Sequence, residues 1–259
     1  MDILDSYVLT EPSSQNVIDI FQGEWSSVLP AQFGLTTKPG TAGLFEDPRV
    51  TWAEQTFGGF SNWNILELGP LEGGHSYMFQ NGNASKVTAI EANTRAFLKC
   101  LCVKEILKLD RVEFKLGDFM QFLEKADLTY DMVFASGVLY HMEEPLRLLN
   151  LASKVSDRLF IWTHYYDHEI ITNTEKLKHK FEPVQVVEFE GVPYETSQQS
   201  YKQALAWSGF CGGPQPVSRW LTRDSIIKAL NQFGYKDLSV SFEQPDHPNG
   251  PAFAICARK

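Results

Sequence analysis

The sequence predicts an α/β fold, a Rossmann-like sheet of seven strands that is mostly parallel, with helices on both faces and an antiparallel last strand. From residue 63 onward, short apolar runs alternate with segments of helical periodicity, which is the pattern of βαβ units. One run, Tyr130–Val138, is continuously apolar, as in a strand that is buried on both faces. The last two runs are separated only by the turn PDHPNG, which is too short for a parallel crossover.

The first strands and helices follow directly from residue type. Asn64–Leu68 is a short apolar run that ends at Gly69, and His75–Gln80 is predicted to open a helix after the glycine-rich turn. Lys86–Asn93 is the second predicted strand. Thr94 is predicted as the N-cap of the next helix, because apolar residues recur after it at helical spacing.

The middle of the sheet is predicted in the same way. Arg111–Asp118 alternates between apolar and polar residues as a third strand, and a short helix, Phe119–Glu124, follows it. After the fourth strand, Glu144–Val155 is predicted as a helix, since Pro145 is suited to a first helical turn. Arg158–His164 is the fifth predicted strand.

Regular structure returns near the end of the chain. Thr222–Tyr235 is predicted as a helix that stops at Gly234. The last two predicted strands are Asp237–Gln244 and Pro251–Lys259.

Two segments fall outside this rhythm. Residues 1–62 are expected to be irregular and to pack over a core or cover a site, because prolines and glycines interrupt them and aromatic residues recur. Residues 165–221 form a long, mixed insertion. The predicted organisation is therefore a cover segment, 1–62, and a domain of residues 63–259 with a substrate-side insertion at about 165–221.

Size and charge restrict the function. A chain of 259 residues fits one α/β domain with additions. The net charge of -9 argues against non-specific binding to nucleic acid. No apolar run approaches the roughly 18 residues of a membrane span, and the start MDILDSYVLTEP has no leader pattern. The four cysteines form no CxxC pair, so we expect free thiols in a cytoplasmic protein.

The candidate ligand site lies where the predicted strands end. In open α/β sheets, ligands bind outside the carboxyl ends of the strands. Four such ends carry polar or glycine residues: Glu67–Gly74, Glu91, Gly117–Phe119 and Ser136–Val138. Glu91 suits a ribose, because one carboxylate can accept hydrogen bonds from both hydroxyls, although proteins that bind NAD use the same device.

Glu67 distinguishes a ligand that places a pyrophosphate at the glycine turn from one that places an ammonium group there. A pyrophosphate beside the glycine turn would be repelled by this carboxylate, whereas the ammonium of a methionine moiety would be attracted. The turn also lacks the middle glycine of GxGxxG, since Leu71 stands there. These features argue against an NAD-dependent oxidoreductase.

The span Asn64–His164 resembles the class I S-adenosylmethionine-dependent methyltransferases. The likeness rests on ELGPLEGG, on the acids at the second and third strand ends and on SGVLYHMEEP, which is similar to the branch of tRNA wobble-uridine modifying enzymes and small-molecule methyltransferases. Pro70-Leu71 departs from the commoner GxG. The resemblance implies S-adenosylmethionine as cofactor, with Asp118 on the adenine amine and Phe119 beside the ring. The implied cofactor residues are Glu67, Gly69, Pro70, Gly73, Gly74, Ser76, Glu91, Ala92, Asn93, Asp118, Phe119, Ser136, Gly137 and Val138.

Several side chains are candidates for the acceptor side. His141 is the candidate catalytic group, either as a general base or as an orienting donor, and the alternative is a histidine that only bonds its own loop. The candidate substrate residues are His75, Tyr140, His164, Tyr165, Trp207 and Trp220, and the aromatic ones could instead form the insertion's own core. His164, Asp167 and His168 have a spacing that could hold a metal, but a loop of satisfied polar groups is the favoured interpretation and no metal is expected.

The predicted function is therefore transfer of a methyl group from S-adenosylmethionine, with S-adenosylhomocysteine as product, to a small-molecule acceptor. One alternative acceptor is tRNA, and one alternative function is a non-catalytic cofactor-binding protein. A homodimer contact through the insertion is also possible. The sequence does not identify the acceptor or the attacked atom.

Overall fold

The computed structural model describes residues 7–206 and 209–259. Within them, twelve strands and eight α-helices form. The strands are β1 Trp25–Ser27, β2 Pro39–Ala42, β3 Asn64–Leu68, β4 Lys86–Glu91, β5 Val112–Leu116, β6 Met132–Ser136, β7 Arg158–His164, β8 Gln185–Phe189, β9 Val192–Ser200, β10 Val217–Leu221, β11 Asp237–Gln244 and β12 Ala252–Arg258. The helices are α1 Ser14–Asp19, α2 Pro48–Phe57, α3 Gly74–Asn81, α4 Thr94–Leu107, α5 Phe119–Glu124, α6 Pro145–Val155, α7 His168–Asn173 and α8 Arg223–Gln232.

The main sheet has seven strands in the order β11-β12-β7-β6-β3-β4-β5. β3 to β7 pair in parallel, whereas β12 is antiparallel to both of its neighbours, β7 and β11. The turn before β12 forces this reversal, since it is too short to carry the chain back across the sheet. The predicted seven-stranded, mostly parallel sheet with an antiparallel last strand is confirmed.

The strand order creates a crevice between β3 and β6. The chain builds outward from β3 through β4 to β5, and it then returns to place β6 and β7 on the other side of β3. Such a reversal is where α/β sheets bind ligands, outside the carboxyl ends of the strands. The loops after β3 and β6 are in close contact there, because a Cβ on Gly69 would lie 3.3 Å from Cγ2 of Val138.

Alternate side chains of the buried strands enter two separate cores, one on each face of the sheet. In β3, Leu66 joins the core that contains α6 and α8, whereas Ile65 joins the core on the opposite face. Neighbouring residues of β6 separate in the same way, with Val133 in the first core and Phe134 in the second. This alternation follows from the two-residue period of a strand, and it explains the continuous apolar run in the sequence.

The expectation that residues 1–62 are irregular is wrong for the described part. α1, α2 and a two-stranded sheet of β1 and β2 form there. α2 begins after Asp47, whose side chain accepts a hydrogen bond from the N–H of Arg49, with Pro48 at the first helical position. Trp25 and Val50 pack into the second core, so the segment covers one face of the sheet.

A buried ion pair anchors this segment. The carboxylate of Glu72 accepts hydrogen bonds from the N–H groups of Ser26 and Ser27 at 2.9 and 2.8 Å, and the ammonium of Lys99 lies 3.1 Å from it. Glu72 is fully buried and Lys99 nearly so. The second acid of the glycine turn therefore binds the N-terminal segment.

Other boundaries differ from prediction by a few residues. The side chain of Asn93, and not that of Thr94, caps α4, and it accepts from the N–H of Ala96 at 3.0 Å. The fourth strand is Met132–Ser136, shorter than the apolar run that predicted it. The insertion contains α7 and an antiparallel sheet in the order β10-β9-β8.

Within the described residues, no helix combines the length and the apolar character that crossing a membrane requires. The four cysteines carry free thiols, as predicted.

Candidate active site

A cavity of about 730 Å³ lies at the crevice between β3 and β6. That volume is in the range of roughly 300–1,000 Å³ typical of small-molecule sites. The loops that follow β3, β4, β5 and β6 all contribute to its wall. Of the predicted cofactor residues, those lining it are Gly69, Pro70, Glu91, Ala92, Asn93, Asp118, Phe119, Ser136, Gly137 and Val138.

The turn after β3 has the backbone conformation of a glycine-rich turn, although Leu71 stands where such turns commonly have a glycine. Gly69 has a φ of 67° and Leu71 a φ of 55°, so Leu71 adopts the left-handed conformation that bulky residues rarely take. The N–H of Leu71 donates to Oε2 of Glu91 at 3.1 Å. The Leu71 departure from GxG therefore leaves the path of the turn intact, and it ties the turn to the end of β4.

Glu91 is the most strongly held carboxylate of the wall. Besides Leu71, the N–H of Asn93 donates to its Oε1 at 2.8 Å. Burial raises the pKa of Glu91, and the two backbone donors partly offset that effect. Each oxygen thus has one fixed partner and a remaining lone pair toward the cavity, an arrangement that suits two adjacent hydroxyls.

Asp118 holds the start of α5. Its Oδ1 accepts from the N–H of Met120 at 2.7 Å, which makes it the N-cap. Its second oxygen remains for a ligand, so capping and ligand binding are compatible in one residue. Phe119 follows it in the wall.

Four predicted cofactor residues lie beneath the wall and do not line it. The side chain of Glu67 is 1% exposed and accepts a hydrogen bond from the hydroxyl of Ser76. Gly73 packs against Phe114, and Gly74 against the backbone of Leu44. Their direct contact with a cofactor stays a prediction.

The carboxylate of Glu67 faces a cation of the protein itself. Nδ1 of His75 lies 3.6 Å from Oε1 of Glu67, and Nε2 lies 2.9 Å from Oδ2 of Asp47. Burial opposes a charge on His75, but the two acids outweigh it and raise its pKa. Asp47 is buried too, yet hydrogen bonds from His75 and Arg49 lower its pKa below the ordinary value.

Arg49 connects this network of charged side chains to the cavity. Its Nε donates to Oδ1 of Asp47 at 2.9 Å, and its guanidinium lies 4.5 Å from the ring centroid of Trp162. Arg49 and His75 both line the cavity. The order Glu67, His75, Asp47, Arg49 alternates in sign, so the four charges sum to zero when His75 is protonated.

A second, smaller cavity of about 370 Å³ shares Tyr140 and His141 with the first. Nδ1 of His141 lies 2.6 Å from the hydroxyl of Tyr201, which comes from the insertion. Burial lowers the pKa of His141 to about 4, so the ring is neutral near pH 7. Burial also raises the pKa of Tyr140 well above its ordinary value, and the phenol stays protonated.

The remaining acceptor candidates separate into two groups. His164 and Trp220 line the smaller cavity, where their rings stack at 5.1 Å. Tyr165 is buried in the first core against Phe253, away from both cavities. Trp207 lies outside the described residues.

The three possible metal ligands are occupied by protein groups. Nδ1 of His164 donates to the carbonyl of Gly250 at 2.8 Å. Asp167 caps α7 through the N–H of Ile170, and His168 meets the hydroxyl of Tyr166 at 3.3 Å. In the described part of the chain, no group of three or more His, Cys, Asp or Glu side chains is placed to hold a metal ion.

Sequence reasoning missed several residues of the wall. Leu44 and Arg49 come from the N-terminal segment, and residues 211–215 come from the insertion. DPRVTWAEQTF, residues 47–57, carried a helix-start signal that could have placed Arg49 on an ordered element. Nothing local in the sequence indicates that residues 211–215 meet the strand ends.

Comparison with known proteins identifies the family of the chain. A family model described as a methyltransferase domain matches residues 60–207, more than half of the chain. The chain has no match among curated protein sequences.

Similar solved structures support the fold. The N-terminal domain of EvdMO1, solved with SAH and D-fucose, aligns with a TM-score of 0.62 at 22% identity over 85% of this chain and 84% of that one. Magnesium protoporphyrin IX methyltransferase from Synechocystis PCC 6803, with bound SAH, aligns at 0.54 and 16% identity over 82% and 81%. The Burkholderia thailandensis 1,6-didemethyltoxoflavin-N1-methyltransferase, with bound 1,6-didemethyltoxoflavin and S-adenosylhomocysteine, aligns at 0.52 and 14% identity over 84% and 78%.

Proposed function

Since the chain belongs to the methyltransferase-domain family that matches residues 60–207, we propose that it is an S-adenosylmethionine-dependent enzyme that methylates a small molecule. One observation carries the proposal. The four strand ends that the sequence singled out meet in one cavity, and ten of the predicted cofactor residues line it.

The residues of this cavity offer a partner to the ribose, to the adenine and to the methionine moiety of the cofactor. Glu91 would accept from the two ribose hydroxyls, while Asp118 and Phe119 would hold the adenine. Arg49, which also lines the cavity, would pair with the carboxylate of the methionine moiety. One oxygen of Glu67, Oε1, is buried without a hydrogen-bond partner among the described residues. Its negative charge favours the ammonium, as the sequence argument held, although His75 already faces it.

A small acceptor is favoured by how the wall is built. The cavity lies between the N-terminal segment, which supplies Leu44, and residues 211–215 of the insertion, so the acceptor meets the cofactor inside the protein. One similar structure was solved in the presence of D-fucose and another with bound 1,6-didemethyltoxoflavin, and both are small molecules.

The reaction requires mainly alignment. S-Adenosylmethionine, when bound, supplies a methyl group on a sulfonium that a nucleophile can attack in line. The chain's own residues hold the acceptor against it, and such positioning accounts for most of the rate. A pKa of about 4 makes His141 a weak base near pH 7, so it fits the task of orienting the acceptor through a hydrogen bond better than that of removing a proton. Tyr201 fixes the ring for that task.

Calorimetric titration tests the proposal. We expect low-micromolar binding of S-adenosylmethionine and S-adenosylhomocysteine and no binding of NAD, followed by methyl transfer to a member of a small-molecule panel with labelled cofactor. Absence of binding of both sulfur ligands would overturn the proposal. Binding without transfer to any acceptor would favour the non-catalytic alternative. Transfer to tRNA that falls steeply with salt would favour the nucleic-acid alternative. A homodimer and a cytoplasmic location stay predictions.

A further inference from the structure

The smaller cavity is built almost entirely of donors and aromatic rings. Among its lining residues in the described part of the chain there is no Asp or Glu, although the protein has a net charge of -9. Two lysines, Lys176 and Lys180, stand at its rim, and both are exposed. Neither forms an ion pair with a described residue, whereas Lys178 between them pairs with Glu175 at 2.6 Å.

A buried donor in this cavity lacks a partner. Trp220 lines the cavity and is 2% exposed, and its indole nitrogen has no hydrogen-bond partner among the described residues. A buried donor without a partner is costly, so native structures rarely leave one. Its benzene edge abuts Gly250, because a Cβ there would lie 2.8 Å from Cη2 and Cζ3. Because the nitrogen itself is buried, an oxygen of a bound molecule reaches this N–H only when a neighbouring side chain moves, whereas the ring already lines the cavity.

Gln199 adds a further donor. It is 8% exposed and lines the cavity, and its Oε1 accepts from the hydroxyl of Ser218 at 3.1 Å. The amide oxygen keeps a second lone pair, and the NH₂ group can donate to a ligand.

The cavity also adjoins the predicted methyl-transfer site. Tyr140 and His141 line both cavities, so they form the wall between them. A molecule held in the smaller cavity has its inner end at His141, beside the predicted position of the cofactor. Its outer end lies at the two lysines.

We propose that the smaller cavity binds the acceptor and that the acceptor is a small oxyanion, a molecule with a carboxylate or phosphate group at one end and a nucleophile at the other. Lys176 and Lys180 hold the anionic group, and the stacked rings of Trp220 and His164 hold its body. This inference rests on the proposed function for the direction of the transfer but not for the binding of the anion.

The test uses phenyl phosphate and benzoate as probes, with phenol and benzyl alcohol as neutral counterparts. Each is titrated into the full chain saturated with S-adenosylhomocysteine. We expect at least one of the two anions to bind about tenfold more tightly than its neutral counterpart. Such a change corresponds to about 1.4 kcal/mol, and hydrogen bonds to charged groups are stronger than those to neutral groups. Comparing the two anions shows which oxyanion the site prefers.

Lysine variants assign the site. The double variant with Lys176→Gln and Lys180→Gln should bind the anionic probe about tenfold more weakly and leave S-adenosylhomocysteine binding unchanged. Lys178→Gln, which removes an exposed lysine of the same segment outside the cavity lining, should change neither. Because all three lysines are exposed, these variants should keep the wild-type melting temperature.

An NMR measurement tests the buried donor. The indole N–H resonance that disappears in Trp220→Phe should change its chemical shift in the wild-type chain when the aromatic body of the probe packs beside the ring. Equal binding of anions and neutral probes, no binding of any probe, or equal losses in the Lys178 and the Lys176/Lys180 variants would overturn the proposal. If S-adenosylhomocysteine fails to bind, the proposed function falls, and the same titrations on the free chain still decide the anion site.

Discussion

Nε2 of His75 lies 2.9 Å from Oδ2 of Asp47, so the first turn of α3 is bonded to the residue that caps α2. The same ring faces Glu67 at the end of β3. One imidazole therefore joins the N-terminal segment to the central strand of the sheet, directly beneath the predicted cofactor site.

Replacing this ring should destabilise the protein in a pH-dependent way. In His75→Gln, two buried carboxylates lose their shared cation, and removing one partner of a buried pair costs about 3 kcal/mol. Urea unfolding near neutral pH measures the loss. His179→Gln, at an exposed histidine whose Nε2 lies 3.5 Å from Glu175, should change the free energy of unfolding by less than about 0.5 kcal/mol.

The pH dependence has a definite sign. The folded pKa of His75 is raised, so its contribution is complete below the unfolded pKa of about 6.5 and is lost as the pH rises through the folded value. The folded pKa of Asp47 is lowered, so its contribution is present above about pH 4 and is lost on acidification. The difference between wild type and His75→Gln should be larger at about pH 6 than at about pH 9. A constant difference would contradict the assignment of a charged ring.

Glu91→Gln should weaken S-adenosylhomocysteine binding by about ten- to a hundredfold, since hydrogen bonds to a charged group contribute about 1.5–3 kcal/mol. The amide can still accept from Leu71 or Asn93, which limits damage to the fold. Calorimetric titration measures the affinity, and Glu105→Gln on the exposed side of α4 serves as the matched control. Unchanged affinity in Glu91→Gln would remove the ribose assignment.

The Glu72–Lys99 pair should behave as a buried ion pair. Glu72→Gln leaves the Lys99 ammonium buried without its counter-charge and should lower the free energy of unfolding by about 3 kcal/mol. Glu72→Gln combined with Lys99→Met removes both charges and should recover part of that loss. Urea unfolding of both variants measures the difference. Losses that simply add would show that the two side chains are not coupled.

Gly74→Ala should disturb the contact between α3 and the N-terminal segment. The added Cβ would lie 2.6 Å from the carbonyl oxygen of Leu44, and overpacking of this kind costs about 1–3 kcal/mol. Gly43→Ala, where nothing lies within 4 Å of the added atom, is the control and should be within about 0.5 kcal/mol of wild type. Equal melting temperatures for the two variants would contradict the close approach.

The central sheet was predictable because its signals are local. β3, α5, β7 and β11 have the predicted bounds, since runs of apolar residues and an N-cap Asp mark them within a few positions. The run Tyr130–Val138 predicted a longer strand than β6, because its two end residues are apolar without being part of the strand. Tyr130 and Val138 are buried in the core that flanks the strand.

The site was predictable only where it consists of strand ends. Glu91 and Asp118 could be found because topology brings the ends of parallel strands together. Arg49 and Tyr201 could not, since their contacts join residues far apart in sequence. The ammonium argument for Glu67 also overlooked His75 as a partner, although that histidine stands only eight positions later.

The wall between the two cavities separates the residues of the predicted cofactor site from those of the proposed acceptor site, and the sequence of the acceptor site can change more freely. Strand ends of the sheet supply the ten predicted cofactor residues that line the larger cavity, whereas Tyr201, Lys176 and Lys180 come from the insertion. Exchanging residues 165–206 for the corresponding segment of a relative leaves residues 211–215 of the larger cavity in place, so it should alter which acceptor is methylated while the donor stays the same. The fold in this way allows new substrates to be acquired through one contiguous stretch of sequence.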